Sequence, residues 1–255
     1  MSIINNYVVG KGKLFFNQFA KGTRVGPGLR YFGNTPTLDT TRTATALDHF
    51  SSEGGIKVKD DSIDIETNIN GKFTCDNISG ANIALWFGGV NSAIVQAASA
   101  AALTEVINVS PDAYYQVGTT PGNPAGVRGI GQYTLTMGAT PLVEGIDYTV
   151  APASGLVHIL PGSAVVVAPA DVNVSYHTLA GAQSLVVEHG STIYGALKFI
   201  ADNPKGVDRD YFYPYVKLTA GGTFALKGDT WQQCEFNYEA LKLDDATERC
   251  YIAAR

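Results

Sequence analysis

The sequence predicts a mainly β protein, a β-sandwich or barrel with one short flanking helix and an inserted small β unit. Charged residues make up only 16% of the 255 residues, against ~25% in an average soluble domain. Glycine occurs 28 times and tyrosine 13 times, a mixture typical of strands joined by tight turns. Short segments that alternate apolar and polar residues also recur between turn signals.

The first third is predicted to hold a strand, a turn and a long loop. Lys13–Phe19 reads as a strand and Gly22–Gly28 as a Gly/Pro turn. Leu29–Gly55 has strand-like ends around a polar middle and is too long for a hairpin turn, and loops beyond ~12–15 residues are usually functional or mobile. The polar middle of this predicted loop consists of Asp39, Thr40, Thr41, Arg42 and Thr43.

Apolar residues alternate with polar ones between Ile56 and Ile69. This pattern indicates either a half-buried strand pair or one long strand with a bulge near Asp60–Asp61, and Asn70–Gly71 is a hairpin-turn signal. A short helix is then predicted, with Ser79 as its cap, an apolar run to Phe87, and Gly88–Gly89 as its stop.

The distribution of charge marks a separate middle unit. From Ala101 to Gly190 the sequence contains one basic residue, Arg128, and six acids. We therefore expect residues 104–181 to be an inserted unit, and residues 1–103 with 182–255 to form one discontinuous domain. Strands in the insertion are predicted at Gln132–Met137, Asp147–Val150, Leu156–Leu160 and Val172–Tyr176, enough for a small sheet or sandwich.

Long strands return after the insertion. Thr192–Ala201 is strand-like and is followed by a turn at Asp202–Gly206. Tyr211–Leu218 contains Pro214, which favours an edge position or a bulge. Cys234–Ala240 alternates as the final long strand.

The composition excludes several functional classes. The net charge is −5, whereas proteins that grip nucleic acid are typically basic. Cys75, Cys234 and Cys250 fit no zinc spacing and are predicted to be reduced core residues of a chain made in a reducing cytoplasm. No signal peptide and no apolar stretch of ~18 residues is present, so we expect neither secretion nor a membrane span.

No catalytic motif is recognisable, and the sequence predicts neither an enzyme nor a cofactor or metal. The carboxylate pairs Asp60–Asp61 and Asp244–Asp245 are adjacent in sequence, so on a strand their side chains point to opposite faces. His158 and His177 are expected on neighbouring strands of the middle unit. A metal pair there is the alternative to ordinary strand histidines, which we favour.

Several segments resemble the major tail (tail tube) proteins of long-tailed, siphophage-type bacteriophages. Asp76–Gly89 (DNISGANIALWFGG) is similar to their helix segment, and Gly195–Gly206 (GALKFIADNPKG) to the strand and turn after their insertion. Leu226–Gln233 (LKGDTWQQ) with Glu239–Lys242 resembles their closing strands. Four segments of the middle unit also resemble these proteins: Asn123–Arg128, Gly145–Val150, Gly155–Leu160 and Val174–Tyr176. The resemblance covers nearly the whole chain through short, non-catalytic motifs.

The resemblance implies a structural protein of the virion tail, made and assembled in the host cytoplasm. Six copies would close into a ring lined by a continuous β-barrel, and the rings would stack into a tube that encloses the tape-measure protein and conducts the genome. Tail terminator and baseplate or tip proteins would be further partners, and DNA would pass without tight binding. The inserted unit would lie on the outer face.

Two sets of residues are candidates for these roles. Glu235, Glu239, Asp64 and Glu66 alternate with apolar residues and are candidates to face the lumen. The polar middle of the predicted loop, Asp39 to Thr43, is the candidate for ring-to-ring contact, with a mobile surface loop as its alternative.

Other functional classes remain open on the sequence alone. The main alternative is a β-rich module that binds carbohydrate or a host surface through its middle unit. A glycan hydrolase is a third class, but it needs two facing carboxylates that the sequence does not display.

Overall fold

Strands dominate the computed structural model, which describes residues 6–255. The described elements, in chain order, are β1 (Gly12–Gln18), β2 (Arg30–Tyr31), β3 (Thr37–Ser51), β4 (Val58–Cys75), α1 (Gly80–Trp86), β5 (Gly89–Gln96), β6 (Leu103–Val109), β7 (Ala113–Gln116), β8 (Ile130–Met137), β9 (Thr140–Pro141), β10 (Tyr148–Ala151), β11 (Leu156–Ile159), β12 (Ala170–Thr178), β13 (Gly181–Glu188), β14 (Ile193–Ala201), β15 (Arg209–Gly221), β16 (Cys234–Ala240) and β17 (Tyr251–Ala254). The predicted mainly β fold class is confirmed.

The chain divides into two compact units. Unit 1 combines Met1–Ser92 with Leu185–Arg255, and unit 2 is Ala93–Ser184. The inserted unit predicted at residues 104–181 therefore begins earlier in the structure, at Ala93. The chain leaves and re-enters unit 1 through β5 and β13, which pair as a two-stranded sheet. The chain that follows the helix is therefore a strand up to Gln96.

Unit 1 is built on one large antiparallel sheet in the order β2-β1-β14-β15-β16-β4-β3. The eighth strand, β17, pairs with Arg209–Phe212 of β15, and β16 pairs with Val216–Gly221 further along the same strand. The two ends of this order are β2, with only two residues, and β3, with fifteen.

One face of this sheet carries the core of unit 1. Along β16, Cys234, Phe236 and Tyr238 are buried while the residues between them are not, as the period of two requires. The Phe236 ring stacks on Phe73, with centroids 5.1 Å apart, and Phe32 packs edge-on against Phe73 at 4.9 Å. The final strand and its apolar alternation are as predicted.

Helix α1 covers part of this core. The Ser79 hydroxyl accepts a hydrogen bond from the Asn82 backbone N–H at 3.3 Å, which caps the first turn. Leu85 is buried in the core, and Gly88 follows the last turn at φ +62°. The predicted cap, apolar face and glycine stop are confirmed.

Pro214 lies in a central strand, not at an edge. The register of β15 against β14 shifts between Gly195 and Leu197, so that Pro214 and Tyr215 both lie opposite Ala196. Proline has no backbone N–H to donate, and at this bulge the pairing of β15 with β14 requires no hydrogen bond from residue 214. The bulge alternative is thus correct, and the edge alternative is wrong.

Two predictions for the first third of the chain are wrong. Asp39–Thr43 does not lie in a loop but in β3, which pairs with β4 from Thr37 to Ser51. Asn70–Gly71 is not a turn, because β4 runs through it to Cys75. The predicted bulge near Asp60 is present, since His49 pairs with Asp61 and Phe50 with Lys59.

Unit 2 is a small β-sandwich. A three-stranded sheet, β10-β11-β7, and a four-stranded sheet, β6-β12-β8-β9, share one apolar core. The inward residues alternate along β12 as Val172, Val174 and Tyr176 and along β11 as Val157 and Ile159. The predicted strand rhythm of this region is confirmed.

The three cysteines are free thiols in the structure. Cys75 and Cys234 are buried and lie directly opposite each other on β4 and β16. Burial raises the pKa of both thiols, that of Cys234 to about 11, so both remain protonated at neutral pH. This agrees with their interpretation as small core residues.

Candidate functional site

The face of the large sheet opposite its core is polar across four strands. Glu235, Asn237 and Glu239 of β16 point away from the core. Directly paired residues of an antiparallel ladder share a face, so the partners of these three residues extend the surface. We call this surface the polar sheet face: Thr37, Asp39 and Thr41 of β3, Asn70, Lys72 and Thr74 of β4, Lys217, Thr219 and Gly221 of β15, and Glu235, Asn237 and Glu239.

The polar sheet face mixes both signs of charge. It carries three acids, Asp39, Glu235 and Glu239, and two lysines, Lys72 and Lys217. The acids and lysines are interspersed along the ladder, since Glu239 pairs with Lys217 and Asp39 with Lys72. Such a surface is hydrated and close to neutral, and it lacks the basic stripe that grips phosphates.

The four lumen candidates do not all share this face. Glu66 lies on it in the same alternation as Asn70 and Lys72, because the β3–β4 register is regular from Glu66 to Thr74. Between Glu66 and Asp64 the register shifts, so Thr45 pairs with Glu66 while its neighbour Ala46 pairs with Asp64. Adjacent strand residues point to opposite faces, and Asp64 therefore faces the other way. The alternation of residues predicts one face for both acids, because the bulge at Ile65 leaves no signal in the sequence pattern.

The second feature is the long hairpin formed by β3 and β4. We call residues 46–66 its distal half. Six large apolar side chains are exposed there, with Ile56 82% exposed: Leu47, Phe50, Ile56, Val58, Ile63 and Ile65. Leu47 and Ile63 are direct partners, so their side chains share one face, and exposed apolar patches typically mark interaction sites. The alternation from Ile56 to Ile69 predicts a half-buried strand pair or one long bulged strand. The structure has the long strand, with these apolar side chains exposed.

Polar contacts in the distal half are local and exposed. The Lys59 ammonium lies 2.6 Å from the Asp48 carboxylate, which also accepts a hydrogen bond from the Ser62 hydroxyl at 2.7 Å. These two bonds hold the pKa of Asp48 below its usual value. Exposed ion pairs contribute little to stability. The distal half is therefore held together by the backbone pairing of β3 with β4, and it has no core of its own.

The base of the hairpin is tied to the core by hydroxyl groups. Thr40 Oγ1 lies 3.0 Å from the Tyr213 hydroxyl and 2.5 Å from that of Tyr238. Burial raises the pKa of both tyrosines, so the cluster stays neutral. Further along, Arg249 donates from Nη1 to the Thr67 carbonyl at 2.6 Å. These contacts fix the direction in which the hairpin extends from the core of unit 1.

The proposed ring-to-ring residues are therefore part of a sheet, not of a flexible loop. Asp39, Thr41 and Thr43 follow the alternation of the polar sheet face, while Thr40 points to the tyrosines of the core side. Arg42 pairs with Ile69 on that second side. The exposed apolar residues lie in the distal half instead, beyond this segment.

The histidines of unit 2 do not form a pair. His158 lies on β11 of the three-stranded sheet and His177 on β12 of the four-stranded one, so the expectation of neighbouring strands is wrong. His158 Nε2 lies 3.3 Å from the Asp112 carboxylate, and His177 Nδ1 lies 3.0 Å from the Ser99 carbonyl. Within residues 6–255, no group of three or more histidine, cysteine or acidic residues is placed to hold a metal ion.

The described part of the chain has no helix that is long and apolar enough to cross a bilayer. Residues 7–189 match the family described as "Protein of unknown function UCP028589". This match spans more than half of the chain, which therefore belongs to that family. A search of curated proteins found no match.

Proposed function

We propose that this protein is the structural subunit of a phage tail tube, which assembles as hexameric rings stacked around the tape-measure protein. The observation that supports it most is the distal half of the long hairpin. Six large apolar side chains are exposed to solvent there, on a pair of strands that has no core. Such exposed apolar surface is unfavourable for a protein that works as a monomer. Covering them with further copies of the chain would remove that exposed surface.

The sheet has two further properties that suit this role. Both of its ends are strands whose outer edges face no other strand of the large sheet, and an open edge pairs readily with another chain. Its polar face would serve as the wall of a conduit, because a near-neutral hydrated surface offers DNA no counterion-release affinity. The mechanism is passive: the genome would slide because nothing binds it.

Electron microscopy of the concentrated protein tests the proposal. Wild type is expected to form tubes or stacked rings, alone or with tail initiator proteins. Replacing Leu47, Ile63 and Ile65 with serine should reduce assembly without unfolding the protein. The matched control replaces the exposed Val95, Val106 and Val143 of unit 2 with serine and should assemble as wild type does. A strictly monomeric wild type under all these conditions would refute the proposal.

A carbohydrate-binding module is the second candidate, and one observation favours it. The Tyr114 ring of β7 is 63% exposed and stacks on His158, with centroids 3.9 Å apart. His158 is in turn held by Asp112, whose φ of +57° is unusual for a residue with a side chain. A fixed aromatic ring beside polar groups can stack against a sugar. Binding to a glycan panel by a monomer, lost in Tyr114→Ala, would favour this candidate.

A further inference from the structure

The two ends of the large sheet carry opposite charge. The distal half of the hairpin contains six acids and two lysines, a net charge of −4. Residues 6–38 contain five basic residues and no acid: Lys11, Lys13, Lys21, Arg24 and Arg30. We call residues 11–31, which span β1 and β2, the basic segment.

The two arginines of the basic segment lie over aromatic rings, Arg24 over Tyr215 and Arg30 over Phe32, each 5.3 Å from the ring centroid. Lys11, Lys13, Lys21 and Arg24 are exposed. In the part of the chain that the structure describes, none of the five basic side chains lies within ion-pair distance of an acid. Exposed apolar residues accompany them, with Val25 72% exposed and Leu29 and Tyr31 about half exposed. The segment is thus apolar and basic, as the distal half is apolar and acidic.

The polar contacts of the distal half lie within the hairpin, from Lys59 and Ser62 to Asp48 and from His49 to Asp60. The order β2-β1-β14-β15-β16-β4-β3 places five strands between β2 and β3. The sheet curves, because Gly12 of β1 and Thr40 of β3 line one cavity. The base of the hairpin therefore comes back toward β1, and the distal half extends beyond that base.

The β1 edge is covered by the chain that follows it, since β2 pairs with Phe15 and Phe16 and the Phe32 N–H donates to the Leu14 carbonyl. The surface offered to another chain is therefore made of the exposed side chains of the basic segment.

We propose that the distal half of the hairpin of one copy docks on the basic segment of a second copy. The contact joins different surfaces of two identical chains, so it is heterologous and propagates into rings or filaments. Opposite net charge selects this pairing over hairpin against hairpin, where two acidic surfaces would repel each other. The inference rests on the proposed function in that both require self-assembly, and it names the surface that the hairpin meets.

Charge exchange tests the contact. One variant carries Lys13→Glu with Lys21→Glu, a second carries Glu53→Lys with Asp64→Lys, and a third carries all four substitutions. Each pair alone should raise the concentration needed for assembly by about tenfold or more, and the four together should restore it to within about threefold of wild type. Sedimentation at low and high salt is the measurement. The control, Lys227→Glu with Asp229→Lys in an exposed loop, should assemble as wild type does.

The outcomes separate this inference from the proposed function. Assembly that is unaffected by either pair, or that is lost in the single pairs and not restored by combining them, overturns the docking contact while the tube remains. A wild type that never assembles overturns both. Thermal unfolding of each variant identifies any folding defect. A misfolded variant is then replaced by its neutral counterpart, Lys13→Ala with Lys21→Ala or Glu53→Ala with Asp64→Ala. Each neutral pair should weaken assembly. Unchanged assembly would contradict the docking contact.

Discussion

Asp147 is a buried carboxylate that organises two loops of unit 2. It is 3% exposed, and it accepts hydrogen bonds from the Val143 backbone N–H at 2.8 Å and from the Ser163 hydroxyl at 2.7 Å. These bonds, led by that from Val143, hold its pKa below the usual value. A depressed carboxyl pKa contributes stability that is present above the unfolded-state value near 4 and is lost as the pH falls through the lower, folded value.

We expect Asp147→Asn to lower the free energy of unfolding at neutral pH by about 1–3 kcal/mol, the range for buried bonds to a charged group. The variant should also lose less stability than wild type when the pH is lowered below about 4, because the titrating group is gone. Denaturant unfolding across pH measures both effects. Asp171→Asn, at an exposed position, is the control and should change stability by no more than ~0.5 kcal/mol. A pH dependence identical to that of wild type would contradict this account.

Gly71 shows why a turn signal can lie inside a strand. A Cβ on this residue would collide with the Tyr238 ring and the Asp39 carbonyl. Tyr238 occupies the space above the strand and bonds Thr40 there. The glycine is needed because another side chain passes over it, not because the backbone bends.

Gly71→Ala should therefore destabilise the protein by about 1–3 kcal/mol, the usual cost of overpacking. Gly55→Ala, in the hairpin turn with open space around it, is the matched control and should have little effect. Melting temperature is the measurement. Equal melting temperatures for the two variants would show that Tyr238 moves aside freely.

At the scale of the element, the long hairpin depends on its base. The core of unit 1 contains no residue from the distal half, whereas Thr40 and Thr67 near the base are bonded to Tyr213 and Arg249. β3 itself is rich in threonine, whose branched Cβ favours extended backbone. Folding of the base therefore does not require the distal half.

Removal of the distal half should leave unit 1 folded. Thr45 and Glu66 are direct partners, so replacing Ala46–Ile65 with Asn-Gly closes a two-residue turn between them. We expect a melting temperature close to that of wild type. A control that replaces only residues 52–57, between the paired Ser51 and Val58, keeps both strands. An insoluble shortened hairpin beside a soluble control would show that the distal half belongs to the fold.

For the whole molecule, the charge of the polar sheet face is expected to govern passage of DNA. Glu235 and Glu239 flank Asn237 on this face. Changing both to lysine should leave stability within ~0.5 kcal/mol per site and add salt-sensitive attraction to DNA. Genome ejection from particles with the double variant should be slower at low salt. Ejection at the wild-type rate would show that these residues do not line the conduit.

The insertion is predicted to be dispensable for ring formation. Unit 2 has its own core, and β5 pairs with β13 where the chain leaves and returns. Excising Ala97–Ala180 and joining the ends with a short Gly/Ser linker keeps both strands. Soluble rings seen by electron microscopy are the expected result. An insoluble product would show that unit 1 needs the insertion to fold.

The sequence by itself determined what depends on local periodicity and chain chemistry. Period-two alternation identified β16 and the strands of unit 2, and the Ser79 cap with its apolar run and glycine stop identified α1. The placement of Glu235 and Glu239 on one face follows from the same period. These features require only neighbouring residues, so they can be read without the fold.

Only the tertiary structure decided what depends on distant partners. Asp39–Thr43 is polar on both faces and shows no alternation, so its identity as a strand comes from pairing with β4. Glycine is required at position 71 because the Tyr238 ring, 167 positions away in the sequence, fills the space that a Cβ would occupy. A bulge places Asp64 on the face of β4 opposite to Glu66. The exposure of Leu47 and Ile63 arises because the hairpin extends beyond the core. Neighbouring residues do not encode which face of a strand finds a partner; the packing of the whole sheet does.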